Sequence, residues 1–368
     1  MAVKIIRQPR KIAIIGAPTS AAALTPGHER APAALRAAGI VERLRAAGFE
    51  VTDMGDIKTQ LSQSDDEHPR ARNIPPLVAA LNELRPHVEV AVKSGALPLI
   101  LGGDCSIVLA TVAGSRRYYR HVGLIYVDRD ADMNVPATTP SGNVDGMVIS
   151  HLIGRGAPEL VRFWGEPPLV REPDIVLFGA DRLDAPEKIA LDRSPIRRYL
   201  GDDIRRTGVT AAAESAVARV QGGQHEFVLH LDVDAISSNE FSATNYAGPD
   251  GGGMSLADVQ KAMAIFAARP NMIALEVTTY NPTLDPDGSA AKVLVELLVG
   301  ILTVRLAALE TPAELAAEAN APVSAPTHVE AHVEPPAPEP PATESAADAG
   351  AENTTPSESS DSTETSDA

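Results

Sequence analysis

The chain has 368 residues and a formal net charge of −17, with 44% hydrophobic residues and a single cysteine, Cys105. The hydrophobic fraction is sufficient for a real core, whereas the acidic balance argues against a nucleic-acid partner, which requires a basic face. A lone cysteine excludes an intramolecular disulfide framework and a zinc cluster built from several cysteines. The N-terminus lacks the apolar segment of a secretory signal, so we expect a cytoplasmic protein.

Short apolar runs alternate with helical patterns along residues 1–310. The first run, Lys11–Pro18, is followed by a helical pattern over Ala33–Ala47, and Pro98 is expected near the start of the second run, since proline cannot donate to a sheet ladder. Continuous apolar runs separated by helices predict a single three-layer α/β domain with a central, mainly parallel sheet. The later predicted strands are Ala96–Leu101, Val122–Val127, Asp174–Gly179, Glu226–Leu231 and Met272–Val277.

The last predicted helix of this domain covers Ala290–Leu309. Lys292, Glu296 and Arg305 interrupt it, and the uncharged stretch between the last two is too short for a bilayer. We therefore expect a buried or interface helix and no membrane partner.

Residues 311–368 differ in composition from the rest of the chain. They contain twelve acidic residues, no Lys or Arg, and no Phe, Trp or Tyr. Such a segment does not bury enough apolar area to offset the entropy of ordering it. We therefore predict a disordered, Pro-rich acidic tail after the domain at 1–310, either solubilising or partner-binding.

Acidic clusters follow three of the predicted strands. They are Gly102-Gly103-Asp104-Cys105-Ser106, Asp128-Arg129-Asp130-Ala131-Asp132 and Asp232-Val233-Asp234. In an extended segment, residues two apart point to the same side, so the spaced aspartates are expected to converge. Open parallel sheets bind ligands at the carboxyl ends of their strands.

Convergent carboxylates need an explanation in energetic terms. Two like charges about 4 Å apart cost on the order of 4 kcal/mol at an effective dielectric of 20. A bound cation removes that cost, while raised carboxylate pKa values only avoid it. A single Asp-x-Asp pair is also compatible with a helix cap or a solvated turn.

With these motifs the sequence resembles the ureohydrolase family, which includes arginase, agmatinase and formimidoylglutamase. The resemblance covers roughly residues 11–309. Its strongest matches are Gly-Gly-Asp-Cys-Ser, the spaced aspartates, Leu231-Asp232-Val233-Asp234 and Asn281-Pro282. It implies an arginase-like α/β domain, a small-molecule guanidino or amidino substrate and a homo-oligomer, a trimer or hexamer. It also implies two Mn²⁺ ions and a metal-activated hydroxide that attacks the guanidinium carbon.

The resemblance implies a ligand set in which both usual histidines are replaced. Cys105 stands at the first histidine position and Asp130 at the second, so the occupancy of the two metal positions is open. All-oxygen sites suit hard cations such as Mn²⁺, whereas a thiolate favours softer metals; Cys105 is alternatively a small buried thiol without a metal role. The full set of implied metal positions is Cys105, Asp128, Asp130, Asp132, Asp232 and Asp234.

Other implied positions are partly kept and partly changed. Asp132 and Asp145 are the candidate catalytic residues, with Asp145 at the place of a proton-shuttling histidine; His151 lies nearby as a less favoured substitute. Thr279 stands where the family places a glutamate that pairs with the guanidinium. The positions that would hold the amino-acid end of the substrate are better matched, by Asn134, Thr139, Ser141 and Asp184.

Three interpretations follow from this pattern. The favoured one is an enzyme, a divergent metal-dependent hydrolase of non-peptide C–N bonds in linear amidines, because retained acidic convergence is costly without a cation. The second is a pseudoenzyme that keeps the fold as a binding or regulatory module, because the histidines and the guanidinium glutamate are all missing. The third is a non-catalytic cation-binding protein.

Overall fold

The computed structural model describes residues 5–221, 225–248 and 251–310. Its core is one eight-stranded sheet in which every neighbouring pair of strands is parallel, in the order β2-β1-β3-β8-β7-β4-β5-β6. The predicted α/β class is confirmed, with a wholly parallel sheet. The strands are β1 Lys11–Gly16, β2 Glu50–Asp56, β3 Leu97–Leu101, β4 Val122–Val127, β5 Ile175–Phe178, β6 Arg197–Tyr199, β7 Glu226–Asp232 and β8 Met272–Thr278.

The sequence pattern located the buried strands and missed the two edge strands. β4 and β8 are buried along their whole length, as continuous apolar runs predict. β2 is largely exposed and β6 has only three residues, so neither shows the apolar run of a central strand. Pro98 is the second residue of β3 rather than the first.

Eleven α-helices lie in the described part of the chain and cover both faces of the sheet, packing against the buried apolar side chains on each side. The helix predicted over Ala33–Ala47 is in fact two helices, because Gly39 adopts a left-handed φ of +87° between them. The helices are α1 Ala31–Ala37, α2 Ile40–Ala46, α3 Ile74–Lys93, α4 Val108–Ser115, α5 Val148–Leu152, α6 Pro158–Val161, α7 Ala185–Asp192, α8 Gly201–Thr207, α9 Val209–Gln221, α10 Leu256–Ala267 and α11 Ser289–Leu309.

α11 closes the described part of the chain as a packed helix. Arg305 on this helix is buried, and its guanidinium donates to the carbonyl oxygens of Ala267, Arg269 and Met272 at 2.7, 2.7 and 3.0 Å. None of the helices described is long and apolar enough to cross a bilayer. The predicted disordered tail, residues 311–368, lies outside the described residues.

The topology places five carboxyl strand ends side by side, those of β3, β8, β7, β4 and β5. At the end of β3 the chain makes a tight turn through Gly102 and Gly103. A Cβ atom at Gly103 would lie 2.3 Å from the carbonyl oxygen of Thr19, so only glycine fits there. This turn delivers Asp104 and Cys105 to the same edge as the aspartates that follow β4 and β7.

Candidate metal and substrate site

Three buried aspartates converge at this edge of the sheet. Asp128, Asp232 and Asp234 each offer a carboxylate oxygen, and these oxygens lie within 4.8 Å of one another. Asp232 and Asp234 are held by a local turn, in which the backbone N–H of Asp234 donates to Oδ1 of Asp232 at 2.7 Å. The pair predicted from the Asp-x-Asp spacing therefore lies together, beside the first aspartate of the preceding cluster.

Asp130 takes a different partner from its neighbours. The guanidinium of Arg182, which follows β5, binds it at two points, Nε to Oδ1 at 2.7 Å and Nη2 to Oδ2 at 2.5 Å. The same Nη2 donates to Oδ2 of Asp234 at 2.6 Å. A cation supplied by the chain itself therefore lies between two of the positions predicted to ligate a metal.

Asp132 lies outside both close groups of ligand atoms. Its φ of +49° turns the backbone out of the extended conformation that the spacing argument assumed. Its Oδ2 accepts a hydrogen bond from the hydroxyl of Tyr126 at 2.5 Å. Burial has the largest effect on the pKa of Asp128, and the charges of Asp132 and Asp130 are among those that raise it further. That all three residues ligate a metal stays a prediction.

Cys105 lies at the centre of the buried network. Its Sγ donates to Oδ2 of Asp232 at 2.9 Å and lies 3.2 Å from Oγ1 of Thr278. Its backbone N–H donates to Oδ1 of Asp145 at 2.7 Å. Burial raises the pKa of the Cys105 thiol well above its usual range, and the surrounding carboxylates add to that effect.

The structure adds a histidine that the sequence analysis did not consider. A nitrogen of His230, a ligand atom of Asp128 and Sγ of Cys105 lie within 4.8 Å of one another, and all three residues are buried. His230 precedes Asp232 by two residues on β7, so strand alternation could have revealed that both point to the same side. It was overlooked because it stands within an apolar run.

Asp145 is buried behind a tyrosine. Its Oδ2 accepts from the hydroxyl of Tyr246 at 2.9 Å, and its Oδ1 accepts from the backbone of Cys105. Burial, followed by the charge of Asp104, raises the pKa of the Asp145 carboxyl well above its usual range. His151, the less favoured substitute, is buried in α5, where Nε2 accepts from the N–H of Ala157 at 3.1 Å.

Thr279 forms part of the wall beneath the aspartates. It has a left-handed φ of +63°, and its hydroxyl donates to Oδ1 of Asp232. Glu276, three residues earlier, is fully buried and binds Nδ1 of His230 at 2.7 Å. Position 279 therefore offers a neutral hydroxyl, and the nearby carboxylate of Glu276 is hydrogen-bonded to His230.

A polar pocket of about 240 Å³ opens beside this network. Asn134 and Asp184 are joined across it by a hydrogen bond of 3.0 Å, and Asp184 is the N-cap residue of α7. All four positions predicted for the substrate's amino-acid end line this pocket. The lining also includes two of the aspartates and the arginine described above, and the full set is Asp130, Asp132, Asn134, Thr139, Pro140, Ser141, Asn143, Gly146, Arg182, Asp184, Glu187 and Tyr246.

The electrostatics of the aspartates follow from burial and mutual repulsion. Burial, then the charges of neighbouring aspartates, raises the pKa values of Asp128 and Asp232 well above the usual range. The pKa of Asp234 is raised only to about 6, because Arg182 opposes the effect of burial. A bound divalent cation would lower these pKa values, as Arg182 does for Asp234, since a nearby positive charge favours the ionised carboxylate.

The donors present fit one divalent cation better than two. Asp128 belongs to both close groups of ligand atoms, so it is the residue around which an ion would be held. A second ion would have to lie near Asp130 and Asp234, where the guanidinium of Arg182 already bridges the two carboxylates. The residues at this edge therefore do not fit the ion pair implied by the resemblance.

Comparison with known proteins identifies the relatives of this fold. The chain is 31% identical to the arginase of Bacillus caldovelox over 301 residues, which cover 81% of this chain and 99% of that protein. The crystal structure of that arginase superposes with a TM-score of 0.75 at 30% identity, covering 80% of this chain and 98% of the other. The structure of the arginase from Bacillus cereus superposes with a TM-score of 0.73 at 31% identity, covering 80% and 98%. The model of the arginase family matches residues 10–303. This protein is therefore a member of the arginase family.

Proposed function

We propose that the protein is a divergent metal-dependent hydrolase that cleaves a C–N bond in a small guanidino or amidino amino acid. The observation that carries this proposal is the juxtaposition of buried, convergent carboxylates with a polar pocket for an amino-acid end. A bound divalent cation would supply Lewis-acid activation and a nucleophile at neutral pH. Asp128 and Asp232 would hold that cation.

The roles of the pocket residues follow from their chemistry. Asp184 is an acceptor for a substrate ammonium group, and its Oδ2 is already oriented by the amide of Asn134. The hydroxyls of Thr139 and Ser141 are donors for a substrate carboxylate. These contacts would orient the reacting carbon toward the aspartates, since positioning alone lowers the barrier substantially.

The reacting end of the substrate meets an altered environment. Thr279 offers no charge to a guanidinium, and the cationic Arg182 lines the polar pocket. A second cation near Arg182 is disfavoured by like-charge repulsion. A neutral ureido group therefore suits this pocket better than a strongly basic guanidinium or amidinium does.

A substrate screen with matched variants tests this function. The full chain, incubated with Mn²⁺ or Zn²⁺, is assayed for urea, ammonia and amine release from L-arginine, from L-citrulline, and from a guanidino compound without a carboxylate. Ser141→Ala should raise KM for the amino acids but not for the compound that lacks a carboxylate. Asp232→Asn should abolish both metal retention and turnover. Metal retention without turnover of any compound would contradict the hydrolase.

The same geometry supports a second candidate, a pseudoenzyme that binds an amino acid without cleaving it. Its specific support is the ion pairing of Arg182 with Asp130 and Asp234, together with Thr279 at the guanidinium position. A pseudoenzyme would show thermal stabilisation by L-arginine or L-citrulline, abolished in Asp184→Ala, with no product formed. Product formation would exclude it.

Family membership also supports the remaining expectations. We propose that the protein works in the cytoplasm as a homo-oligomer, a trimer or hexamer, with manganese as the family's usual metal. Light scattering on the purified chain tests the assembly, and a monomeric mass would contradict it.

A further inference from the structure

The imidazole of His230 is held in an orientation suited to metal binding. Its Nδ1 lies 2.7 Å from Oε1 of Glu276, whose Oε2 accepts from the hydroxyl of Thr111 at 2.6 Å. We assign the imidazole proton to Nδ1, in the hydrogen bond to the Glu276 carboxylate, which leaves Nε2 with its lone pair. The ring of Tyr126 stacks on the imidazole at 4.1 Å with an angle of 12° between the planes, which fixes the ring orientation.

The lone pair of Nε2 faces the buried network at the end of β7 and β8. Oγ1 of Thr278 lies 3.2 Å from Nε2 and also 3.2 Å from Sγ of Cys105. A close group of one nitrogen, one sulfur and one oxygen donor is formed by His230, Cys105 and Asp128. A histidine whose far nitrogen binds a carboxylate is the usual arrangement behind a protein metal ligand.

The donor types determine the class of cation. Thiolate and imidazole donors suit Zn²⁺ and chemically similar ions, whereas carboxylate and water donors suit Mn²⁺ and Mg²⁺. We infer that this chain binds a single thiophilic divalent cation of the Zn²⁺ class through Cys105, Asp128 and His230, with Glu276 positioning the imidazole from behind. Asp232, 2.9 Å from the thiol, is the adjacent oxygen donor.

This inference replaces manganese, the metal proposed above from family membership, with a cation of the Zn²⁺ class. It rests on the proposed hydrolase for its purpose, but binding alone tests it. The metal-free full chain is titrated with Co²⁺, a spectroscopic substitute for Zn²⁺. A thiolate ligand gives a near-ultraviolet sulfur-to-cobalt charge-transfer band, so the native chain should show that band saturating at one Co²⁺ per chain. A chain that binds Co²⁺ without the band would overturn the inference, whether or not it hydrolyses any substrate.

Variants assign the individual donors. Cys105→Ser should abolish the band and lower the ratio of Zn²⁺ to Mn²⁺ affinity, and His230→Gln should weaken Zn²⁺ binding by more than about 100-fold. Glu276→Gln, which keeps all three donors, should weaken it by about 10–100-fold, as removal of a group behind a ligand does. His151→Gln is the matched control, a buried histidine outside the group, and should leave affinity unchanged.

Folding and binding are separated by two further readouts. Near-ultraviolet circular dichroism and thermal unfolding of the metal-free variants report whether each one folds. Equal Zn²⁺ affinity of the native chain and a folded His230→Gln would overturn the role of His230. Equal affinity of a folded Glu276→Gln would overturn the positioning role of Glu276. Retention of two Mn²⁺ ions by the native chain would overturn the single site.

Discussion

Replacing Arg182 by glutamine should convert a site for one cation into a site for two. The side chain of Arg182 is 35% exposed, and that of its partner Asp234 is 2% exposed. Nη2 contacts both Asp130 and Asp234, so glutamine would leave two aspartates without their shared cation. Arg36→Gln is a matched control, because Arg36 binds Asp53 and Asp56 in a similar way without contacting the candidate ligands.

The magnitudes follow from burial and charge. Breaking a buried ion pair costs about 3–5 kcal/mol, and solvent screening of the partly exposed arginine reduces this to about 2 kcal/mol. For the metal, a unit positive charge about 4 Å from another opposes it by roughly 4 kcal/mol at a dielectric of 20. Removing the guanidinium should therefore tighten Mn²⁺ binding at Asp234 by at least about tenfold, even after screening.

Two measurements check these magnitudes. Elemental analysis after incubation with Mn²⁺ and desalting should show at most one ion per native chain and a higher count in Arg182→Gln. Thermal unfolding should show a less stable metal-free variant that Mn²⁺ stabilises by about 3 kcal/mol when present at 100 times its Kd. The Arg36 control, whose partner carboxylates are more exposed than that of Asp234, should lose less stability and show no change in metal content.

One result would refute the reasoning directly. A folded Arg182→Gln protein with the metal content and the Mn²⁺-induced stabilisation of the native chain would show that Arg182 does not occupy a cation position. An equal gain of metal in Arg36→Gln would show that the effect arises from net charge alone.

Three further predictions concern stability. Desolvation lowers the pKa of buried His151 to about 4. As pH falls from about 6.5 to 4, this histidine binds a proton in the unfolded chain but not in the folded one, so the native protein should lose about 3 kcal/mol of stability relative to His151→Gln. Parallel pH profiles of the two proteins in urea unfolding would contradict this. Arg305→Met removes donors from three main-chain carbonyls and should cost about 3 kcal/mol, whereas Arg43→Met, which breaks an exposed pair, should stay within about 1 kcal/mol. Gly103→Ala pushes a methyl group against a main-chain oxygen and should cost about 1–3 kcal/mol, and an unchanged urea midpoint would be inconsistent with the tight turn.

The central strands of the sheet were predictable because buried strands have a recognisable hydrophobic pattern in the sequence. β4 and β8 are continuous apolar runs, and such runs arise when both faces of a strand are covered. β2 and β6 lie at the sheet edges, where one side faces solvent, so their composition carries no comparable signal. The division between α1 and α2 was missed because the apolar spacing continues across Gly39 while its backbone does not.

The meeting of some aspartates at the sheet edge was predictable, but their side-chain pairings were not. The order of the strands brings Asp128 and Asp232 together, and parallel topology alone predicts this. The hydrogen bond between Asp132 and Tyr126 depends on a left-handed backbone conformation that no spacing rule anticipates. Arg182 lies 52 residues from Asp130 in the chain, so only the folded structure shows that they meet.

Two of the altered positions are compensated elsewhere in the fold, which makes their effects non-additive. Cys105 stands at a position where the resemblance implies a histidine, and His230 on β7 supplies an imidazole nearby. Asp130 stands at the second such position, and Arg182 places a positive charge beside it. Asp130→His alone should therefore leave Arg182 repelling an incoming ion and gain no second Mn²⁺. Combined with Arg182→Gln, the same change should bind a second Mn²⁺ more tightly than either single variant. In a double-mutant cycle on Mn²⁺ affinity we expect a coupling of about 1–3 kcal/mol; purely additive effects would show that the two positions do not share one cation site.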